Sequence, residues 1–141
     1  MQVELIEIRD HLSRFAPFDE LPDETLDEIA SQTQVRYFKA GTPILGQGNE
    51  ISELHDIRSG AVEIYRPNGE LFNRLGEGDI FGQAGLRRNR RVRFPARALE
   101  DSLIYFIPGE LFFRLCDEHD SFADFVDSEG AGRLRSAVQS Q

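Results

Sequence analysis

The stretch Gly76–Leu99 reads GEGDIFGQAGLRRNRRVRFPARAL, and it decides how the rest of the chain is interpreted. It begins with a glycine-spaced turn, continues through the apolar step Ile80-Phe81 and ends in a run of basic residues. This run holds six of the sixteen Lys and Arg residues of the chain, namely Arg87, Arg88, Arg90, Arg91, Arg93 and Arg97. Because the chain has 25 Asp and Glu residues and a formal net charge of −9, so concentrated a cationic segment predicts either an anionic partner or ion pairs within the protein.

Two glycines of this stretch, Gly82 and Gly85, flank backbone N–H groups that an anion could reach, because glycine has no Cβ in the way. The sequence therefore predicts a phosphate-binding cassette or its remnant. Phe81 is expected to pack in the core at the start of the cassette. A solvated arginine loop between two elements stays open as the alternative. The residues assigned to the cassette are Phe81, Gly82, Gln83, Ala84, Gly85, Leu86, Arg91, Val92 and Arg93.

Composition limits the class of protein. The chain has 141 residues, 40% of them hydrophobic, which suits one domain with a packed core. Its acidic balance argues against a general nucleic-acid-binding protein. The single cysteine, Cys116, excludes an internal disulfide and any CxxC motif, so we expect a reducing, cytoplasmic setting. The N-terminus does not resemble a signal peptide, and no apolar run approaches the length of a membrane span.

The hydrophobic pattern changes twice along the chain. Apolar residues at helical spacing predict helices within residues 3–31. From Val35 the period changes to two, and glycine turns separate short strands over residues 33–107, which indicates a barrel or a sandwich rather than βαβ units. Pro108 and Asp120 then open two further helices over residues 109–137, with Asp120 expected at the N-cap. The fold class is thus mainly β with helices at both ends.

Catalytic chemistry finds little support in the sequence. His11, His55 and His119 are too scattered for the metal site of a cupin-type enzyme, and His55 is most simply a residue inside the barrel. Cys116 falls on the apolar side of a predicted helix and is expected to be a buried thiol. The carboxylates are spread along exposed helix faces. We therefore expect the chain not to be an enzyme, and a metal-dependent cupin is the weakest alternative.

Residues 40–86, AGTPILGQGNEISELHDIRSGAVEIYRPNGELFNRLGEGDIFGQAGL, resemble the cyclic-nucleotide-binding domain family. The resemblance covers about residues 15–130 and implies a double-stranded β-helix, a jelly-roll-like β-roll with N-terminal and C-terminal helices. It also implies a non-catalytic regulatory sensor without a cofactor, whose ligand would be cyclic AMP or another nucleotide. The family features fall on Gly41, Ile44, Gly48, Ile57, Gly60, Val62, Gly69, Gly76, Gly78, Asp79, Phe81 and Gly82.

The resemblance also implies how a ligand would be held. Gln83 stands where the family has a Glu that accepts the ribose 2′-hydroxyl, and an amide oxygen makes a weaker hydrogen bond than a carboxylate. Val92 stands at the position of the Arg that neutralises the cyclic phosphate. Arg91 and Arg93 flank it, but neighbours in a strand point to opposite faces. The two altered anchors argue against tight binding of cyclic AMP and make the cassette atypical.

Residues 96–115, ARALEDSLIYFIPGELFFRL, resemble a bacterial subgroup of signalling proteins. In that subgroup this domain precedes paired CBS domains and a nucleotidyltransferase domain, so we expect the chain to be a fragment whose partners are those downstream domains. A homodimer through the flanking helices is a further expectation, and contact with DNA or a membrane is not expected. The main rival is a degenerate domain used for protein interaction or dimerisation without a small ligand.

Overall fold

The structure is a computed structural model that describes residues 3–128. Both predicted N-terminal helices are present. Helix α1 spans Val3–Arg14 and helix α2 spans Asp23–Gln32, with the short 3-10 turn Phe18–Glu20 between them. Pro22 precedes α2 as its N-cap. The apolar faces expected from the helical spacing are buried, as Leu12 and Ile29 show.

The strands confirm the period-two pattern, and they form two four-stranded antiparallel sheets that make up the predicted β-roll. The strands are β1 (Gln34–Phe38), β2 (Pro43–Leu45), β3 (Glu53–Ser59), β4 (Val62–Tyr65), β5 (Leu71–Leu75), β6 (Ile80–Phe81), β7 (Ala96–Ala98) and β8 (Ser102–Pro108). One sheet has the order β1-β8-β3-β6 and the other has the order β2-β7-β4-β5. The turn Pro67-Asn68-Gly69 joins β4 to β5 as a hairpin.

Strand β8 shows how the roll and the helices share one sheet. Ile104 and Phe106 belong to the core between the two sheets, whereas Tyr105 and Ile107 belong to the core under the helices. Successive side chains of a strand point to opposite faces, so this strand is buried on both sides. The sheet that contains β8 therefore carries the helices on its outer face and the interior of the roll on its inner face.

The C-terminal helices begin close to where the sequence predicts them. Helix α4 spans Gly109–Glu118 after Pro108, and residues 120–128 are helical. The N-cap assignment of Asp120 is wrong by one residue, because Asp120 already lies inside this helical segment. Phe122 is fully buried, with its ring centroid 5.6 Å from that of Phe18. Residues 129–137 of the predicted helical region lie outside the described residues.

A buried polar pair joins α1 to the roll. His11 Nε2 lies 3.4 Å from Asp56 Oδ1, and both side chains are fully buried. Burial raises the pKa of the Asp56 carboxyl, and the hydrogen bond with His11 opposes part of that rise. The ring of His11 also packs edge-on against Tyr105 at 5.3 Å. No local pattern in the sequence predicts this pair.

Candidate ligand-binding site

The site begins at a sharp turn between β6 and a short helix, α3 (Gln83–Arg87). Gly82 lies at this turn with a φ of +92°, a conformation that residues with a Cβ rarely adopt. A Cβ at Gly82 would also lie 2.9 Å from both His55 Nδ1 and Ile51 Cδ1. The position therefore requires glycine for two reasons, backbone conformation and packing.

A pocket opens beside α3, with a volume of about 650 Å³ that includes open solvent at its mouth. Most of its walls are apolar, and its polar side chains are Asn73, Gln83 and Arg93. The lining residues are Leu45, Ile51, Ile64, Phe72, Asn73, Leu75, Ile80, Phe81, Gly82, Gln83, Ala84, Gly85, Val92, Arg93 and Phe94.

Gln83 is the most informative polar group of the pocket. Its side chain is only 9% exposed, and its Oε1 has no hydrogen-bond partner among the described residues. A buried acceptor without a partner costs about 1–3 kcal/mol. A ligand that donates a hydrogen bond to this amide would remove that cost.

The segment after α3 forms the rim of the pocket. Val92 is buried, whereas Arg91 and Arg93 on either side of it are exposed. Arg93 borders the pocket, and its guanidinium lies 5.3 Å from the centre of the Phe94 ring. That ring stacks on Phe72 at 5.2 Å. Phe94 thus forms part of a wall and leaves the pocket open.

A second hollow adjoins the first. It is a groove of about 880 Å³, open solvent included. Arg88, Arg91 and Arg93 line it together with the amides of Gln47 and Asn89. Four residues line both hollows, namely Ala84, Gly85, Val92 and Arg93.

The structure distributes the nine cassette residues unequally. Seven of them line the pocket, and Phe81 packs in the core as expected. Leu86 lines neither hollow. It is buried in the core, and its Cδ2 atom lies 3.4 Å from where a Cβ of Gly109 would be. Arg91 lines only the groove. Phe72 and Asn73 of β5 also line the pocket, and no local motif in the sequence marks them.

The two cassette glycines make room for protein atoms. A Cβ at Gly85 would lie 2.6 Å from the backbone oxygen of Arg91, and a Cβ at Gly82 would meet His55 and Ile51. The sequence predicts that these glycines give an anion access to the backbone. The packing supplies a different reason, since both glycines let neighbouring segments approach α3 closely.

Two arginines of the basic run connect this region to the C-terminal helices. The Arg87 guanidinium forms two hydrogen bonds with the Asp127 carboxylate, at 3.2 and 3.3 Å. Arg90 lies over the ring of Phe113, 4.8 Å from its centre. Arg87 therefore forms an ion pair within the protein, one of the two outcomes that the charge pattern predicts, whereas Arg90 contacts an aromatic ring.

His55 lies under the turn at Gly82, buried as a residue of the roll. Its ring stacks on Phe81 at 4.9 Å and meets Phe106 edge-on at 4.6 Å. Burial lowers the pKa of His55 to about 4, so the ring is neutral at physiological pH. Within residues 3–128, no cluster of His, Cys, Asp and Glu side chains could hold a metal ion.

The roll, the turn at Gly82 and the half-enclosed pocket define a small-molecule-binding regulatory domain. The sequence profile of the cyclic nucleotide-binding domain matches residues 35–119. The chain belongs to this family, which confirms the resemblance seen in the sequence.

Solved structures share the fold. The sensor domain of the transcriptional regulator DNR from Pseudomonas aeruginosa is 19% identical and has a TM-score of 0.77, over 89% of this chain and 92% of that one. The catabolite activator protein of Thermus thermophilus is 28% identical, with a TM-score of 0.70 over 87% of this chain and 60% of that one. None of the helices in the described part of the chain is long and apolar enough to cross a membrane.

Curated relatives are much longer than this chain. Uncharacterised NTE family proteins of Mycobacterium tuberculosis and Mycobacterium bovis are 25% identical over 93 residues. The match covers 66% of this chain and 16% of each relative. The chain therefore corresponds to a small part of these proteins.

Proposed function

We propose that this chain is a non-catalytic sensor domain of a bacterial signalling protein that works in the cytoplasm. It binds a small anionic ligand of the nucleotide class through an atypical phosphate cassette, and its downstream domains respond to the bound state. The observation that carries the proposal is the pocket, where the unpartnered amide oxygen of Gln83 and the side chain of Arg93 border one apolar hollow.

Each part of the pocket has a role in this proposal. The apolar walls hold the body of the ligand, because burying apolar surface is favourable by about 25 cal/mol per Å². Gln83 Oε1 accepts a hydrogen bond from a ligand hydroxyl. Val92 offers only apolar contact, so the phosphate is met by Arg93 at the rim, with Arg91 beside it in the groove.

Isothermal titration calorimetry tests this function. The ligands are cyclic AMP, cyclic GMP, AMP and cyclic dinucleotides, and the variants are Arg93→Ala and Arg91→Ala. A hydrogen bond to a charged group contributes about 1.5–3 kcal/mol, so Arg93→Ala is expected to weaken binding at least about tenfold. Arg14→Ala is the matched control, because Arg14 is exposed on α1 and lines neither hollow. Flat traces with every ligand would overturn the proposal.

One observation favours the rival function, an interaction or dimerisation module. Val35, Tyr37 and Leu103 are 49%, 59% and 38% exposed, and Tyr37 pairs with Leu103 across β1 and β8. Contiguous exposed apolar residues often mark protein contacts. Light scattering that shows a stable dimer, together with flat calorimetric traces, would support this rival.

A further inference from the structure

The arginine groove carries charge that nothing in the described structure neutralises. Five other arginines of residues 3–128 pair with carboxylates, namely Arg9, Arg58, Arg74, Arg87 and Arg114. Arg88, Arg91 and Arg93 form no ion pair with any described carboxylate. No Asp or Glu lines the pocket or the groove. In a chain with a net charge of −9, three unpaired guanidinium groups create a local field that attracts anions.

The backbone that carries these arginines is held in place. The Ile51 N–H donates to the Arg90 carbonyl at 2.9 Å, and the Arg90 N–H donates to the Gly85 carbonyl at 2.9 Å. The Val92 N–H donates to the Asn49 carbonyl at 2.8 Å. The groove wall is therefore formed before any ligand arrives, which reduces the conformational cost of binding.

The groove adjoins the pocket, since four residues line both hollows. A cyclic monophosphate carries a single negative charge, which Arg93 at the junction suffices to meet. Arg88 and Arg91 lie beyond this junction and line only the groove. They would face water with such a ligand bound.

We propose that the site binds a linear nucleotide that carries at least two phosphate groups, in preference to a cyclic monophosphate. The nucleoside lies in the apolar pocket against Gln83, and the phosphate chain runs past Arg93 into the groove between Arg88 and Arg91. The inference rests on the proposed function and specifies its ligand. A terminal phosphate carries up to about two negative charges at neutral pH, which match the further guanidinium groups.

Calorimetry with a charge series tests the inference. Wild-type protein is titrated with cyclic AMP, AMP and ADP, and with the corresponding guanine nucleotides. We expect the affinity to rise along each series, with the diphosphate at least about tenfold tighter than the cyclic monophosphate, because charge-assisted hydrogen bonds are the strong ones. Added salt should weaken binding of the diphosphate more than binding of the cyclic nucleotide.

Two variants locate the effect. Arg88 and Arg91 are exposed, so Arg88→Ala and Arg91→Ala should preserve the fold, which circular dichroism checks. Each is expected to weaken the diphosphate about three- to tenfold, and Arg88→Ala is expected to leave the cyclic nucleotide unchanged. Arg14→Ala again controls for loss of one positive charge and should change neither affinity.

The outcomes separate this inference from the proposed function. Equal or tighter binding of the cyclic nucleotide overturns the inference and leaves the sensor function standing. If Arg88→Ala and Arg91→Ala both keep the preference for the diphosphate, the groove does not bind the phosphate chain and the inference is overturned. Failure of every nucleotide to bind overturns both.

Discussion

Acidification should destabilise this protein through His55. Its pKa is lowered to about 4, chiefly by burial and to a smaller extent by the charge of Arg36, while a hydrogen bond with the backbone of Phe81 opposes both. In the unfolded chain the imidazole titrates near 6.5. Between these two values the unfolded chain binds a proton that the folded protein excludes, so the free energy of unfolding falls as the pH falls.

The size of this effect follows from the two pKa values. One pH unit between the folded and unfolded pKa corresponds to about 1.4 kcal/mol. Between about pH 7.5 and about pH 4.5 the loss attributable to His55 is therefore about 2.5 kcal/mol. Above pH 7.5 the ring is neutral in both states and contributes no pH dependence. The loss is a large share of a typical stability of about 5–15 kcal/mol.

Urea unfolding of the wild type and of His55→Phe at both pH values measures this contribution. The substitution keeps an aromatic ring beside Phe81 and Phe106 but removes the titration. Any change in packing lowers the stability of the variant at both pH values, so it cancels when the stabilities at the two pH values are subtracted. The titration of Asp56 cancels too, because this residue is present in both proteins. We expect the acid-induced loss of stability to be about 2.5 kcal/mol smaller in the variant. Identical losses in the two proteins would refute the reasoning.

Two packing predictions follow, each with a matched control. Gly85→Ala should lower the free energy of unfolding, measured in urea, by roughly 1 kcal/mol. Overpacking against the Arg91 carbonyl destabilises the variant by about 1–3 kcal/mol, and the higher helix propensity of alanine offsets about 1 kcal/mol of this loss. Gly76→Ala, with no atom within 4 Å of the added Cβ, should change it little, so equal effects would contradict the packing described. Phe122→Ala should cost about 3–5 kcal/mol, measured in the same way. Phe125 is only half-buried, so Phe125→Ala should lower the free energy of unfolding clearly less than Phe122→Ala does. Equal losses in the two variants would contradict the burial of Phe122.

Much of the fold could be predicted because its signals are local. The alternation in β4 and the glycine turns between strands depend on neighbouring residues alone. Helix α3 was not predicted, because its five residues are too few to show a period. The partner of Arg87 was not predicted either, since Asp127 lies 40 residues away and only the packed helices bring the two together.

The site was predictable in its position but only in part in its composition. The glycines placed it after β6, and the family resemblance placed Val92 in it between Arg91 and Arg93; that Val92 is buried is seen only in the structure. Asn73 belongs to β5 and reaches the pocket only because the roll closes. Gln83 Oε1 lacks a partner because no surrounding side chain among the described residues donates a hydrogen bond to it. Such a missing donor depends on the packed structure and leaves no pattern in the sequence.

The His11–Asp56 pair determines where the first helix can dock. Apolar side chains alone would let α1 slide along the sheet, since one apolar contact can replace another. Any slide would leave two buried polar groups without partners, which costs several kcal/mol. The pair therefore fixes the position of α1 on the roll, because only one register of the helix keeps both polar groups paired.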